Sequence, residues 1–213
     1  MLKKKYVCVI LLFAIVFLAP FANVASAEEI WPGYHLRWDI RDGNGNYRTA
    51  VNGDLLNGAA SMYSGNVSTA TSHWNSSATK ASSAATNFNS SNVDLATASS
   101  SWWKEHVNQS SVLAITVPSY NGKQVFSPKD FGYSKDYVHI KYSGVFFNPS
   151  SGSSAVKNVK ESENKQTNVI MHEMGHVYGM GHVNNSGSLM YKEVTTRTSL
   201  ASHDITVMNG FYH

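Results

Sequence analysis

Between residues 172 and 182 the chain reads His-Glu-Met-Gly-His-Val-Tyr-Gly-Met-Gly-His, an H-E-x-x-H-x-x-G-x-x-H pattern with every fixed position filled. An α-helix advances about 100° per residue, so His172 and His176 fall about 40° apart on one face, one turn above the other. Two imidazoles so placed can reach a single Zn²⁺ at about 2.0–2.1 Å. Glu173 sits beside them, placed to hold a water on the metal rather than to bind the metal itself. His182 cannot be presented by the same straight helix. The chain has to turn sharply, and Gly179 can take the positive φ that such a turn demands. His182 then returns as the third nitrogen ligand, and the fourth tetrahedral position stays open, as in a catalytic rather than a closed structural zinc site.

This stretch resembles the zinc-binding consensus of the metzincin metallopeptidases. The second hallmark of those proteins is a methionine-containing turn beneath the metal, and Ser188-Leu189-Met190-Tyr191 is similar to the turn of the matrixin branch, eight residues after His182. Astacin- and serralysin-like metzincins carry a tyrosine two positions after the methionine; here Lys192 stands there, and no tyrosine ligand is assigned. The segment from Leu200 to Tyr212 is similar to the matrixin C-terminal helix. The detailed resemblance covers Asn168 to Tyr212; upstream it is one of layout only. It implies an α+β (α/β-like) metzincin zincin fold: a five-stranded mixed twisted sheet with one antiparallel edge strand, a backing helix, the active-site helix and a C-terminal helix. It also implies that Met190 underlies the metal without binding it, and that residues 192–200 wall the pocket for the side chain just past the scissile bond. Matrixins usually place a proline where this chain has Lys192, so the shape of that pocket is left open.

The N-terminus carries a different signal. Lys3, Lys4 and Lys5 precede an apolar run from Tyr6 to Ala19, and Ala25-Ser26-Ala27 is a small-x-small cleavage site. That is the pattern of a secretory signal peptide over residues 1–27. The alternative, an uncleaved anchor, suffers from a run shorter than the about 20 residues a bilayer requires and from Pro20 and Asn23. The whole chain has 17 basic and 14 acidic residues, and removing the three leader lysines leaves 14 of each. The pI of 8.9 therefore largely reflects the leader, and neither nucleic acid nor an anionic membrane is expected as a partner. The single cysteine, Cys8, lies in the leader. The mature chain is expected to have no disulfide, no thiolate ligand and no cysteine-containing latency segment. Residues 28–213 suit a single catalytic domain, expected to be monomeric.

Along the chain, Tyr34 to Ile40 alternates as a first strand. Asp42-Gly43-Asn44-Gly45-Asn46 resembles the opening of a calcium loop, but Tyr47 occupies the sharp-turn position and Gly53 the final acidic one. A plain turn is expected, and structural Ca²⁺ is left without support. From Arg48 to Asn87, Val51, Leu55, Leu56, Ala59 and Met62 keep helical spacing, as do Ala70, Trp74 and Ala78. A long backing helix interrupted near Gly65 and Asn66 is expected, with Trp74 as core anchor and His73 at its boundary. A flexible Ser-rich linker is the alternative. Val93–Ala98 and Val112–Val117 read as strands, the second as a buried parallel one. Trp102 and Trp103 are expected to pack, with His106 structural; a sugar- or peptide-binding platform is the alternative. Asn121-Gly122, Pro128 and Gly132 mark loops. Tyr137–Tyr142 and Val145–Asn148 read as a hairpin; the matrixin resemblance implies that the fourth strand, here Tyr137–Tyr142, is the antiparallel edge over the cleft, and His139 is expected to face solvent or rim. Residues 149–166 read as an exposed loop, followed by a helix beginning near 164–167, with Val169, Ile170, Met174 and Val177 facing the core. No H-x-D pair of the kind matrixins use for a structural zinc precedes that helix.

The expected function is that of a secreted zinc endopeptidase acting on extended peptide or protein through the sheet edge. One alternative is a secreted zinc-binding module without catalysis, against which Glu173 stands, since a structural site has no need of that carboxylate. The other is a zinc hydrolase of non-peptide substrates, which the ligands alone do not separate.

Overall fold

The computed structural model describes residues 26–28, 36–77, 80–120, 122–124 and 138–212. The leader up to residue 25, with Cys8, and the loop marks Asn121, Pro128 and Gly132 lie outside them. Strands β1 (Ser26–Glu28), β2 (Leu36–Trp38) and β3 (Tyr47–Leu55) come first, then a 3-10 segment (Gly58–Asn66) and helix α1 (Val67–Asn75). Next are β4 (Ala81–Thr86), β5 (Val93–Thr97), α2 (Ser100–His106), β6 (Val112–Tyr120), β7 (Lys123–Gln124), β8 (Val138–Ile140) and β9 (Tyr142–Phe147). Helices α3 (Ser154–Lys160), α4 (Glu163–Val177) and α5 (Ser202–Phe211) close the chain.

The main sheet has the order β1-β6-β9-β5-β3-β4, with β7 also on β6. β3, β4, β5 and β9 run parallel, and β6 runs antiparallel to β9. Helices α1 and α4 pack together against this sheet, α4 lying on β6. Thr116 of β6 reaches α4, so its neighbours Ile115 and Val117 point to the opposite face. There, with Val112, they bury Trp103 of α2 in a second apolar cluster. The fold is the mixed α+β layout expected from the metzincin resemblance, with additional short strands.

Several elements differ from the reading of the sequence. The helical phase expected from Val51 to Met62 is split: Ala59 and Met62 lie in the 3-10 segment, but Tyr47–Leu55 is a strand, in which Tyr47, Thr49 and Val51 are buried while Arg48 is exposed. Its inward hydroxyl at Thr49 and the buried Asn52 obscure the two-residue period; Thr49 bonds Ser83 at 2.8 Å and Asn52 bonds Asp94 at 3.1 Å. The backing helix starts only at Val67, where Val67, Ala70, Thr71 and Trp74 recur on one face. Trp74 is fully buried, stacked on Tyr178 at 5.2 Å.

The antiparallel strand is Val112–Tyr120, not Tyr137–Tyr142. β8 instead pairs parallel with β2 in a separate small sheet, which is also where the expected first strand lies. Ser143-Gly144 is not a turn but part of the central strand β9. A Cβ on Gly144 would lie 2.7 Å from the Phe146 ring, so the glycine makes room for a side chain rather than reversing the chain. The stretch read as a loop after Pro149 contains α3, capped by Ser153 and anchored by buried Ala155, Val156 and Val159.

Candidate metal centre

Helix α4 starts where Ser162 accepts a hydrogen bond from the Lys165 amide at 3.3 Å, satisfying one of the free donors of the first turn. From Gln166 to Val177 every residue is buried, so both faces of this helix are interior and its polar side chains need partners. The helix ends at Val177. Gly179 has φ of +84°, and its amide donates to His176 O at 2.9 Å while Met180 N donates to Gly175 O at 2.9 Å. The chain thus doubles back and returns His182 to the last two turns of the helix.

His182 Nε2 lies 3.0 Å from His172 Nε2 and 3.2 Å from His176 Nε2. His172 Nδ1 donates to Leu189 O at 2.9 Å, and His176 Nδ1 donates to Met180 O at 2.8 Å. A carbonyl only accepts, so each Nδ1 carries the proton and each Nε2 presents a lone pair. Lone pairs converging at such separations repel unless a cation lies among them. Ligands at about 2.0–2.1 Å from a tetrahedral Zn²⁺ would stand about 3.3 Å apart. The donor set therefore fits a zinc-like ion, and among the described residues it is the only group of three potential ligands.

Electrostatics favour the same state. Burial pushes His172 down to about 3, the His182 charge adding to the effect and the Leu189 bond opposing it. Burial also holds His176 well below its usual range. His182 is pushed down to about 4, first by burial and then by the Lys192 ammonium. All three are neutral at pH 7, the state in which an imidazole ligates a metal.

Glu173 is fully buried. Thr116 donates its hydroxyl to Glu173 Oε2 at 2.6 Å, while Oε1 has no hydrogen-bond partner. Burial pushes this carboxyl up to about 8, against the opposing Thr116 bond. The Tyr63 hydroxyl, also buried without a partner, is raised by burial and then by the Glu173 charge.

Met190 is fully buried under the helix. A Cβ on Gly175 would stand 2.3 Å from the Met190 sulfur, so the glycine before His176 is what lets the methionine rise against the helix. The turn carrying it is held by Asp204 of α5. Asp204 accepts from Ser188 Oγ, from Leu189 N at 2.8 Å and from Ala201 N at 2.8 Å. Beside His172, a cavity of about 10 Å³ lies between Leu113 of β6 and residues 191–194. The following segment is tied to α4 through Asn168, whose amide donates to Arg197 O at 2.7 Å and accepts from Thr195 N at 3.1 Å.

Among the described residues, His73, His106 and His139 lie apart from this centre. His139 is exposed and 3.3 Å from Asp39, His106 stacks on Trp102 at 4.6 Å, and His73 is half-buried on α1. Asp42 Oδ1 accepts from the amides of Asn44 and Asn46, each at 2.9 Å, closing a plain turn. Thr116, Gly175 and Asp204 escaped the sequence reading. The one available signal was a lone hydroxyl in the otherwise apolar run Val112–Val117; Gly175 falls on an unspecified motif position, and the partners of Asp204 are distant in the sequence.

Helix, glycine reversal, third histidine and methionine turn, set against a mixed sheet, define a metzincin. More narrowly, the family model described as Matrixin matches residues 64–213, and the chain belongs to the matrixin family of metallopeptidases. Among solved structures it is similar in outline to that of myroilysin, with 10% sequence identity, 91% of this chain and 96% of that chain covered, and a TM-score of 0.44. No curated protein matches it.

Proposed function

We propose that this chain is a secreted zinc-dependent endopeptidase, with residues 1–27 as its leader and residues 28–213 as one monomeric catalytic domain. The observation carrying this reading is the convergence of three neutral imidazoles, with a buried carboxylate on the residue after the first of them, one of its oxygens tethered to Thr116 and the other without a hydrogen-bond partner. His172, His176 and His182 would hold Zn²⁺. Bound there, the ion supplies Lewis acidity, lowering the pKa of water toward about 7 and polarising a carbonyl. Its charge also favours the ionised form of Glu173, which burial alone holds protonated at pH 7. Glu173 Oε1 accepts a proton from the attacking water and delivers it to the departing amine nitrogen. Gly179 and Met190 support the ligands. An extended peptide is the substrate, its main chain recognised along β6; neither nucleic acid nor a membrane is a partner of the mature chain. Among the described residues no helix is long and apolar enough to cross a membrane.

The test is incubation of protein collected from the medium with a mixed peptide library, with and without a chelator, with cleavage sites read by mass spectrometry. Chelator-sensitive cleavage is expected, and Glu173→Gln should keep zinc while losing about 10²–10⁴-fold in turnover. Absence of cleavage by the zinc-loaded wild type would favour a non-catalytic zinc module.

A further inference from the structure

Thr116 lies in the middle of β6, opposite Val145 of β9, and is 4% exposed. Its hydroxyl oxygen is 2.6 Å from Glu173 Oε2 and 3.2 Å from the Glu173 backbone carbonyl. The hydroxyl has one proton, and the shorter contact to the carboxylate takes it. A β-branched side chain on a paired strand has little χ1 freedom, so Oγ1 is a fixed point. Glutamate, by contrast, has three rotatable bonds. Anchoring Oε2 removes the terminal rotation and leaves Oε1 as the oxygen without a partner.

We infer that Thr116 is the positioning residue of the general base, fixing which carboxylate oxygen of Glu173 faces the reacting water. The inference rests on the peptidase reading. Because β6 is also the strand along which a peptide would lie, one element then sets both the substrate register and the base. Alanine or valine at this position would leave both Glu173 oxygens buried without a partner; serine would keep the donor.

The experiment compares Thr116→Val, Thr116→Ala and Thr116→Ser in the full zinc-loaded chain. Zinc content, thermal midpoint, kcat and KM are measured, together with the ¹³C chemical shift of the Glu173 carboxyl carbon, assigned through Glu173→Gln. Val and Ala are expected to lower kcat about 10- to 100-fold with KM and zinc content unchanged, and to move the carboxyl signal. Ser should restore both to near wild type. Wild-type kcat in the Val or Ala variant, or failure of Ser to rescue, overturns the inference. Should the wild type cleave nothing, the peptidase reading fails alone and the carboxyl signal decides: movement in Val and Ala with retention in Ser supports the tether, and an unmoved signal overturns it.

Discussion

His172 and Asp204 are joined through a single residue: Leu189 accepts the His172 Nδ1 proton on its carbonyl at 2.9 Å and donates its amide to Asp204 Oδ2 at 2.8 Å. A carboxylate on the C-terminal helix thereby fixes the ring orientation of the first ligand without touching it. Asp204 is fully buried, and removing it would leave two buried donors and one part-buried donor without their acceptor. Each buried unsatisfied group costs about 1–3 kcal/mol. Asp204→Ala is therefore expected to destabilise the fold by more than about 3 kcal/mol and to weaken metal binding about 10- to 100-fold. Asp204→Asn, which keeps one acceptor, should fall between. Urea titration of the metal-free protein and competition with a zinc chelator give the two numbers.

Gly175 and Met190 form a matched pair. The methionine sulfur occupies space that any side chain at 175 would need. Gly175→Ala should cost about 1–3 kcal/mol through overpacking and loosen zinc binding by moving Met190. Combining it with Met190→Ala should cost less than the sum of the single changes, because the two share one space. Additive losses in a denaturation cycle would mean that Met190 is not what resists the new methyl group.

The centre was readable in the sequence because it is local. Two ligands one helical turn apart and a glycine three residues beyond the second leave few geometries for His182. The sheet was far less readable. β3 buries Thr49 and Asn52, polar residues whose partners lie more than thirty positions away at Ser83 and Asp94, and no local window contains that pairing. The apolar residues of the same stretch repeat at helical intervals, so the local pattern points to a helix where the chain forms a strand. Gly144 reads as a turn because glycine freedom and glycine smallness look alike in a sequence; only the Phe146 ring over it separates the two. Thr116 became legible only when β6 was seen lying on α4.

The titration of the metal-free protein should be lopsided. The three converging histidines are held below the ordinary 6.5, at about 3 for His172 and about 4 for His182, with His176 well below as well. As pH falls past 6.5 the unfolded chain takes up protons that the folded chain refuses, so the stability present above that value is lost toward pH 4. Glu173 works in the opposite sense. With its folded value near 8 against an ordinary 4.5, its contribution is present below 4.5 and lost as pH rises to 8. Three histidines outweigh one carboxyl between 6.5 and 4.5, and acidification should destabilise the chelated protein. Glu173→Gln should remove the alkaline loss, making the variant more stable than its parent at pH 8. Urea midpoints at pH 5, 6.5 and 8 in chelator test both limbs; a variant no more stable at pH 8 would contradict the burial argument.

The outer edge of β6 is partly taken in the full chain. β1 runs parallel to it, with Ser26 opposite Val112 and Glu28 opposite Ile115, and β7 pairs with Ser119 and Tyr120. The stretch under β1 includes Leu113, which borders the cavity beside His172, and leads directly to Thr116. A strand edge offers its amides and carbonyls once, so a peptide adding there has to displace β1. Two of the three β1 residues, Ser26 and Ala27, belong to the segment expected to leave with the leader. A chain starting at Glu28 should therefore bind peptide more tightly than one kept uncut by substitution at Ala25 and Ala27. Two or three ladder hydrogen bonds at about 1 kcal/mol each would appear as roughly a tenfold or larger difference in KM, with kcat little changed. Faster amide exchange at Leu113 to Ile115 in the shortened chain would accompany it. Equal KM values for the two chains would mean that β1 does not compete for the edge a substrate uses.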